Sequence, residues 1–156
     1  MTAFKFLLSC GMTNPQDIRW ERRFANYKKA LAKLGEVAES GDIDELSELE
    51  REGLIQRFEY TYELAWKTLQ DFLKDKGYLD VNGPNAVLTQ SFQDGYIVDG
   101  DGWRRMKKSR ELTSHTYDSD TAEEIAEAIF TSYFDLLKEL ETRLEQDRSG
   151  NQLSIF

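Results

Sequence analysis

Apolar residues recur along most of this chain at steps of three and four, the period of a helix with one buried stripe. Trp20, Phe24, Tyr27, Leu31, Leu34 and Ala38 form the first such stripe, predicting a helix from about residue 17 to 39. The run SGDID at 40–44 then interrupts the pattern, and Ser47 with Glu50 has the spacing of a capping box for a second helix. That helix is expected to reach about Lys76, with Leu54, Ile55, Phe58, Tyr62, Ala65, Leu69, Phe72 and Leu73 on its main stripe. Tyr60, Leu64 and Trp66 lie off the stripe, so this helix is expected to meet neighbours on several sides and to be the spine of a bundle.

Asn82-Gly83-Pro84 reads as a turn with proline in the first helical turn, opening a short third helix with Ala86, Val87, Phe92 and Tyr96 as its apolar positions. Gly95 and the DGDG of 99–102 separate it from a fourth helix starting near Trp103 and loosening near Ser114. Asp120 and Glu123 form a second capping signal. Beyond them Ile125, Ile129, Tyr133, Leu136, Leu140 and Leu144 mark a last helix, widened by Phe130, Phe134 and Leu137. No alternating run long enough for a strand stands out, so the expected fold is an all-α antiparallel up-and-down bundle of four to five helices. It would occupy residues 17–146, between an extension at 1–16 and a tail at 147–156.

Length and charge narrow the picture. A chain of 156 residues suits one domain with a single core. A net charge of −9 argues against general nucleic-acid binding, which depends on neutralising phosphates. The lone Cys10 forms no internal disulfide, consistent with a cytoplasmic protein, and no Cys/His cluster suits zinc. The apolar start of TAFKFLLSCG is interrupted by Lys5 and too short for a signal core, and no run approaches a membrane span, so a soluble protein without a membrane partner is expected.

Against this acidic background, RRMKKSR at 104–110 carries five of the twenty basic residues, and the only histidine follows at 115. Arg104, Arg105, Lys107 and Lys108 form a local positive patch, a candidate phosphate or RNA funnel toward Arg110. Five residues apart on an ideal helix, Arg110 and His115 differ by about 140° in direction and about 7.5 Å in rise. Their convergence requires a loosened helix end, the reach of the arginine, or a second copy of the site across a dimer. Glu111 stands four residues before His115, placed to favour its imidazolium form, and Arg110 and Tyr117 would share a face if the helix persisted. A histidine as general acid or base beside an arginine fork suits metal-independent phosphodiester transfer. The plainer alternative for a lone histidine at a helix end is a cap or surface residue. Trp66 and Trp103 are read as packing residues, and no glycine-rich phosphate loop or other cofactor motif is present, so no cofactor is expected.

Three segments, LIQRFEYTYELAWKTLQDFL (54–73), GPNAVLTQSFQDGYI (83–97) and RELTSHTYD (110–118), resemble the HEPN superfamily, and more narrowly its bacterial nucleotidyltransferase substrate-binding proteins. The resemblance runs from about residue 17 to 144. It implies a dimerising helical bundle, a homodimer or higher homo-oligomer, that works with a separately encoded minimal nucleotidyltransferase, as in toxin–antitoxin pairs. It further implies a toxin-like ribonuclease with Arg110 and His115 as the catalytic pair and Tyr117 as the target of AMP transfer that silences it. Glu111 departs from the polar, commonly Asn, residue that follows the arginine in that family, which leaves open a noncatalytic adaptor that presents substrate to the nucleotidyltransferase.

Overall fold

The computed structural model describes residues 15–39 and 41–153, with side chains from 19 to 39 and 41 to 150. Five helical rods account for nearly all of it: α1 (Pro15–Ala38), α2 (Glu48–Asp75), α3 (Pro84–Gln93), α4 (Gly100–Leu112), and a last rod formed by α5 (Ser119–Ala128) and α6 (Phe134–Leu153). A π-helical turn at Ile129–Tyr133 joins α5 to α6 without a break in the rod. No strand occurs among the described residues, in agreement with the expected all-α bundle. The N-terminal segment read above for a leader lies outside the described residues.

The long helix α2 packs against every other helix, and most extensively against α1. Its start follows the capping box: Ser47 accepts from the Glu50 amide at 3.1 Å while Glu50 accepts from the Ser47 amide at 3.0 Å. Those contacts also hold the Glu50 carboxyl below its usual range. Leu54, Phe58, Tyr62, Ala65, Leu69 and Leu73 are buried along its main stripe. Buried Thr61 and Thr68 stay within the apolar interior because each hydroxyl donates to the carbonyl one turn back, Arg57 and Leu64 respectively. Leu64 and Trp66 pack at the edge of the core, whereas Tyr60 points outward and is 63% exposed, so only part of the off-stripe set meets neighbours.

Four boundaries and positions depart from the sequence reading. In α3 it is Val87 and Leu88 that are buried; Phe92 faces solvent, and Tyr96 lies beyond the helix in the loop after Gly95, which turns at φ 81°. Helix α4 begins at Gly100, ahead of Trp103, because Asp99 caps it by accepting from the Gly102 amide at 2.8 Å. Gly102 itself is required by space, since a Cβ there would sit 2.4 Å from the Asp99 carboxylate and 2.8 Å from Leu136. The cap of α5 is Asp118, which accepts from the Asp120 amide and the Thr121 hydroxyl; Asp120 falls inside the first turn. Finally, α6 runs on past Gln146 to Leu153, with Lys76 paired to Asp147 at 3.3 Å across to the end of α2.

No helix among the described residues is long and apolar enough to cross a membrane. A single buried hydroxyl ties the first helix to the last: Tyr27 of α1 donates to the Leu137 carbonyl of α6. Burial pushes the Tyr27 phenol far above its ordinary pKa, so it stays a donor. Tyr27→Phe should therefore destabilise the fold by about 1 to 2 kcal/mol, read as a lower urea midpoint with an unchanged slope.

Candidate functional site

The end of α4 carries the residues that the sequence singled out, and its geometry follows from one local change of helix type. After Leu112 the chain tightens into a 3-10 turn at Thr113–His115 and leaves the helix through Thr116 and Tyr117. The α-helix thus ends near Ser114 as expected, by tightening and not by loosening, and the ideal-helix angle between Arg110 and His115 does not apply. Thr113 makes the turn: its buried hydroxyl donates to the Arg110 carbonyl at 2.6 Å and accepts from the Arg110 guanidinium Nη1 at 3.0 Å. One side chain thereby closes the helix and holds the arginine.

His115 is exposed and pairs with Tyr117 through its Nδ1, 3.3 Å from the phenol oxygen, with the two rings edge to face at 5.9 Å between centroids. Tyr117 is 85% exposed. Because the helix ends before it, Tyr117 is carried by the turn instead of sharing a helical face with Arg110.

The electrostatic surroundings differ from the funnel expected along residues 104–110. Arg104 is paired with Asp101 at 2.8 Å, and Lys107 donates to Glu111. Arg110 lies between two carboxylates of α2, with its Nε 3.3 Å from Glu63 and its Nη1 3.6 Å from Glu59. The Nε contact is close enough for charge pairing but is not aligned as a hydrogen bond. Arg105 and Lys108 are the members of the run without an ion pair among the described residues. Glu111, placed by sequence four residues before His115, is engaged instead by the Lys107 ammonium one turn earlier and makes no hydrogen bond to His115 among the described residues. The i,i+4 partner on the N-terminal side competes successfully because the helix is still intact there.

Behind this surface, Tyr62 of α2 buries a hydroxyl that has no hydrogen-bond partner among the described residues. Burial raises its pKa, the charges of Glu63 and Glu111 push the same way, and Arg110 pulls back, so the phenol remains neutral beneath the arginine. Trp103 packs against Tyr62 in the core, as a packing residue should. Trp66 has a polar role that the sequence reading did not assign, donating its indole N–H to Glu63 at 3.1 Å.

The remaining support comes from the π turn of the last rod. Tyr133, within that turn, places its hydroxyl 2.7 Å from the Ser109 hydroxyl and donates to the Arg105 carbonyl at 3.2 Å, while its ring stacks on Phe58 of α2. Helix α4 is therefore pinned on the turn immediately before Arg110. None of Glu59, Glu63, Thr113, Ser109 and Tyr133 was singled out from sequence as a site residue; the available signal was Glu59 and Glu63 at i,i+4 on a helix otherwise buried on many sides.

A model of the family described as "Nucleotidyltransferase substrate binding protein like" matches residues 22–146, most of the chain and all of the site. The chain belongs to this nucleotidyltransferase substrate-binding family. A relative from Haemophilus influenzae, described as "Probable ribonuclease HepT", is 34% identical over 104 residues, covering 64% of this chain and 68% of the relative. Among solved structures, a protein from Thermus thermophilus superposes with a TM-score of 0.69 at 36% identity, over 76% of this chain and 98% of that one. A second, from Haemophilus influenzae, is described as revealing the fold of a substrate binding domain of a nucleotidyltransferase. It shares the fold at a TM-score of 0.59 and 22% identity, over 84% of this chain and 99% of that one. The resemblance drawn from the sequence is thereby borne out at the level of family and fold.

Within this family fold the contact of Tyr133 with α4 is the support most readily removed. Tyr133→Phe should keep the stacking on Phe58, cost about 1 kcal/mol, and speed amide hydrogen exchange selectively over residues 106–113.

Proposed function

We propose that this protein is a metal-independent ribonuclease of the HEPN type, working with and silenced by a separately encoded minimal nucleotidyltransferase. The observation that carries the reading is the set of groups at the α4 terminus: an arginine in the last helical turn, then an exposed histidine closing the 3-10 turn and an exposed tyrosine just beyond it, with imidazole and phenol in contact. The family match and the relative described as a ribonuclease support the same reading.

The chemistry assigns each group a role. One imidazole nitrogen of His115 takes the proton of a ribose 2′-hydroxyl as its oxygen attacks the adjacent phosphorus. The bond from phosphorus to the 5′-oxygen breaks, leaving a 2′,3′-cyclic phosphate, and the leaving oxygen takes up a proton. Arg110 stabilises the extra negative charge on the phosphoryl oxygens. Since Nδ1 faces Tyr117, Nε2 is the nitrogen turned to the substrate, and the direction of the proton between Nδ1 and the phenol decides whether Nε2 starts as base or acid. AMP transfer to the Tyr117 oxygen removes its donor hydrogen and sets a phosphodiester beside His115, which blocks the same place a substrate phosphate takes.

A second reading, a noncatalytic adaptor that binds substrate for the nucleotidyltransferase, draws on the carboxylates of Glu59, Glu63 and Glu111 gathered around the basic residues. Partner-free protein incubated with tRNA and with unstructured RNA in a chelator separates the two. The ribonuclease reading expects cleavage by wild type that falls by about two orders of magnitude or more in Arg110→Ala and His115→Ala. Folded, unmodified wild type that leaves both RNAs intact favours the adaptor.

Silencing has its own readout. Protein coexpressed with an active nucleotidyltransferase should be heavier by whole AMP units than protein made alone, and Tyr117→Phe should abolish the increase. Equal masses with and without the partner would remove Tyr117 from the scheme.

A further inference from the structure

The two carboxylates that face Arg110 are held in unlike ways. Glu63 is fixed from three sides: its Oε2 accepts from the Trp66 indole at 3.1 Å and lies 3.8 Å from the Lys67 ammonium, while its Oε1 meets Arg110 Nε at 3.3 Å. Glu59 touches Arg110 Nη1 at 3.6 Å, beyond hydrogen-bond range, and has no other partner among the described residues. Thr113 takes one Nη1 hydrogen at 3.0 Å.

A guanidinium binds a phosphate in a forked manner through two adjacent N–H groups. The edge that includes Nε is backed by Glu63, so the edge left for an anion is the outer one, formed by Nη1 and Nη2. Nη2 makes no hydrogen bond among the described residues, and the carboxylate beside Nη1 is that of Glu59. An oxygen of an incoming phosphate and the Glu59 carboxylate compete for the same electrostatic position. Loss of a contact as long and as exposed as that of Glu59 costs little, whereas moving Glu63 would also strand the Trp66 N–H.

We propose that Glu59 and Glu63 form an acidic latch on Arg110 with unequal halves: Glu63, anchored by Trp66, is a positioning residue that orients the guanidinium, and Glu59 is an internal anion that a substrate phosphate displaces. This rests on Arg110 being the phosphate-binding group of the proposed function. With the Lys67 ammonium counted, the two carboxylates balance Arg110 and leave the unliganded site without net charge, so that affinity comes from replacing one anion by another at a held guanidinium. It also assigns Trp66, with no contact to substrate, a role through Glu63 alone. Glutamine cannot replace Glu63 fully, because its amide must present N–H either to the indole or to the guanidinium.

The test uses the full-length protein and a 2′-O-methyl oligoribonucleotide, which binds like RNA but lacks the attacking hydroxyl. Its affinity is measured by fluorescence anisotropy, and the Arg110 Nε–H signal is followed by nitrogen-15 NMR in Glu59→Gln, Glu63→Gln and Trp66→Phe. Glu59→Gln should tighten binding by about twofold to fivefold, the range of a surface ion pair, and leave the Nε–H signal sharp. Glu63→Gln and Trp66→Phe should bring no tightening, and both should speed exchange of the Nε–H and rotation of the guanidinium. Equal tightening by both glutamine variants would overturn the latch, reducing the carboxylates to general negative charge, and an unaltered Nε–H in Trp66→Phe would overturn the anchoring of Glu63. Failure of wild type and every variant to bind would sink phosphate binding at Arg110 and with it the Glu59 half, with the NMR arm still deciding Glu63.

Discussion

A helix that touches every other helix has little free face on which to place its polar residues, and α2 is in that position over most of its length. Its twenty-eight residues must supply the core stripe and still accommodate Thr61, Thr68, Asp71, Glu59 and Glu63. The threonines turn their hydroxyls back onto their own helix, which removes them from the problem. The carboxylates cannot bond back to their own backbone carbonyls, and besides the Trp66 and Lys67 contacts of Glu63 they meet cations on neighbouring helices. Asp71 meets Arg23 of α1 at 2.9 Å, yet burial still raises its carboxyl above the ordinary range, with Arg23, Arg19 and Lys74 pulling the other way. Glu59 and Glu63 meet Arg110 of α4. The most interesting arginine of the chain is thus placed by the same constraint that organises the bundle.

Helix α4 is fixed at both ends by features that leave no apolar signature. Its start needs Gly102, because Leu136 and the Asp99 carboxylate occupy the space a side chain would fill. Its end is held by Thr113 from within and by Tyr133 from the last rod. The π turn at 129–133 inserts one residue's worth of extra rotation, which lets Tyr133 direct its ring to Phe58 and its hydroxyl to Ser109 together. An uninterrupted α-helix would shift the facing of everything on one side of that point by about 100°.

Helical periodicity made the rods legible because burial of apolar side chains repeats every turn, and the capping box at Ser47 marks a start with two side chains visible in sequence. The sequence pattern points to Asp120 for the α5 cap, two residues late, because Asp118 and Asp120 both offer a carboxylate ahead of the same apolar run, and only the backbone conformation of Asp118 decides between them. Phe92 reads as inward because an aromatic at helical spacing is usually buried, but α3 ends one residue later and its contact side is set by Val87 and Leu88. In the site, Arg110, His115 and Tyr117 stood out by rarity and by resemblance. Glu63 and Trp66 did not, since their role depends on how α2 crosses α4, a relation that no spacing within one helix expresses.

Charge is where sequence and structure part most clearly. Five basic residues in seven positions suggest long-range attraction for a polyanion, but Arg104, Lys107 and Arg110 each face a carboxylate, and attraction between paired charges and a distant phosphate largely cancels. Arg105 and Lys108 remain to steer, on a molecule whose net charge is −9. If RNA is the substrate, as proposed, it gains little from such a surface until its phosphate reaches Arg110. Under the proposed function, recognition is carried by short-range geometry at the helix end, with the Arg110 guanidinium held before the turn and the imidazole exposed after it, and selectivity follows from which phosphates can reach that turn rather than from how strongly the surface attracts them.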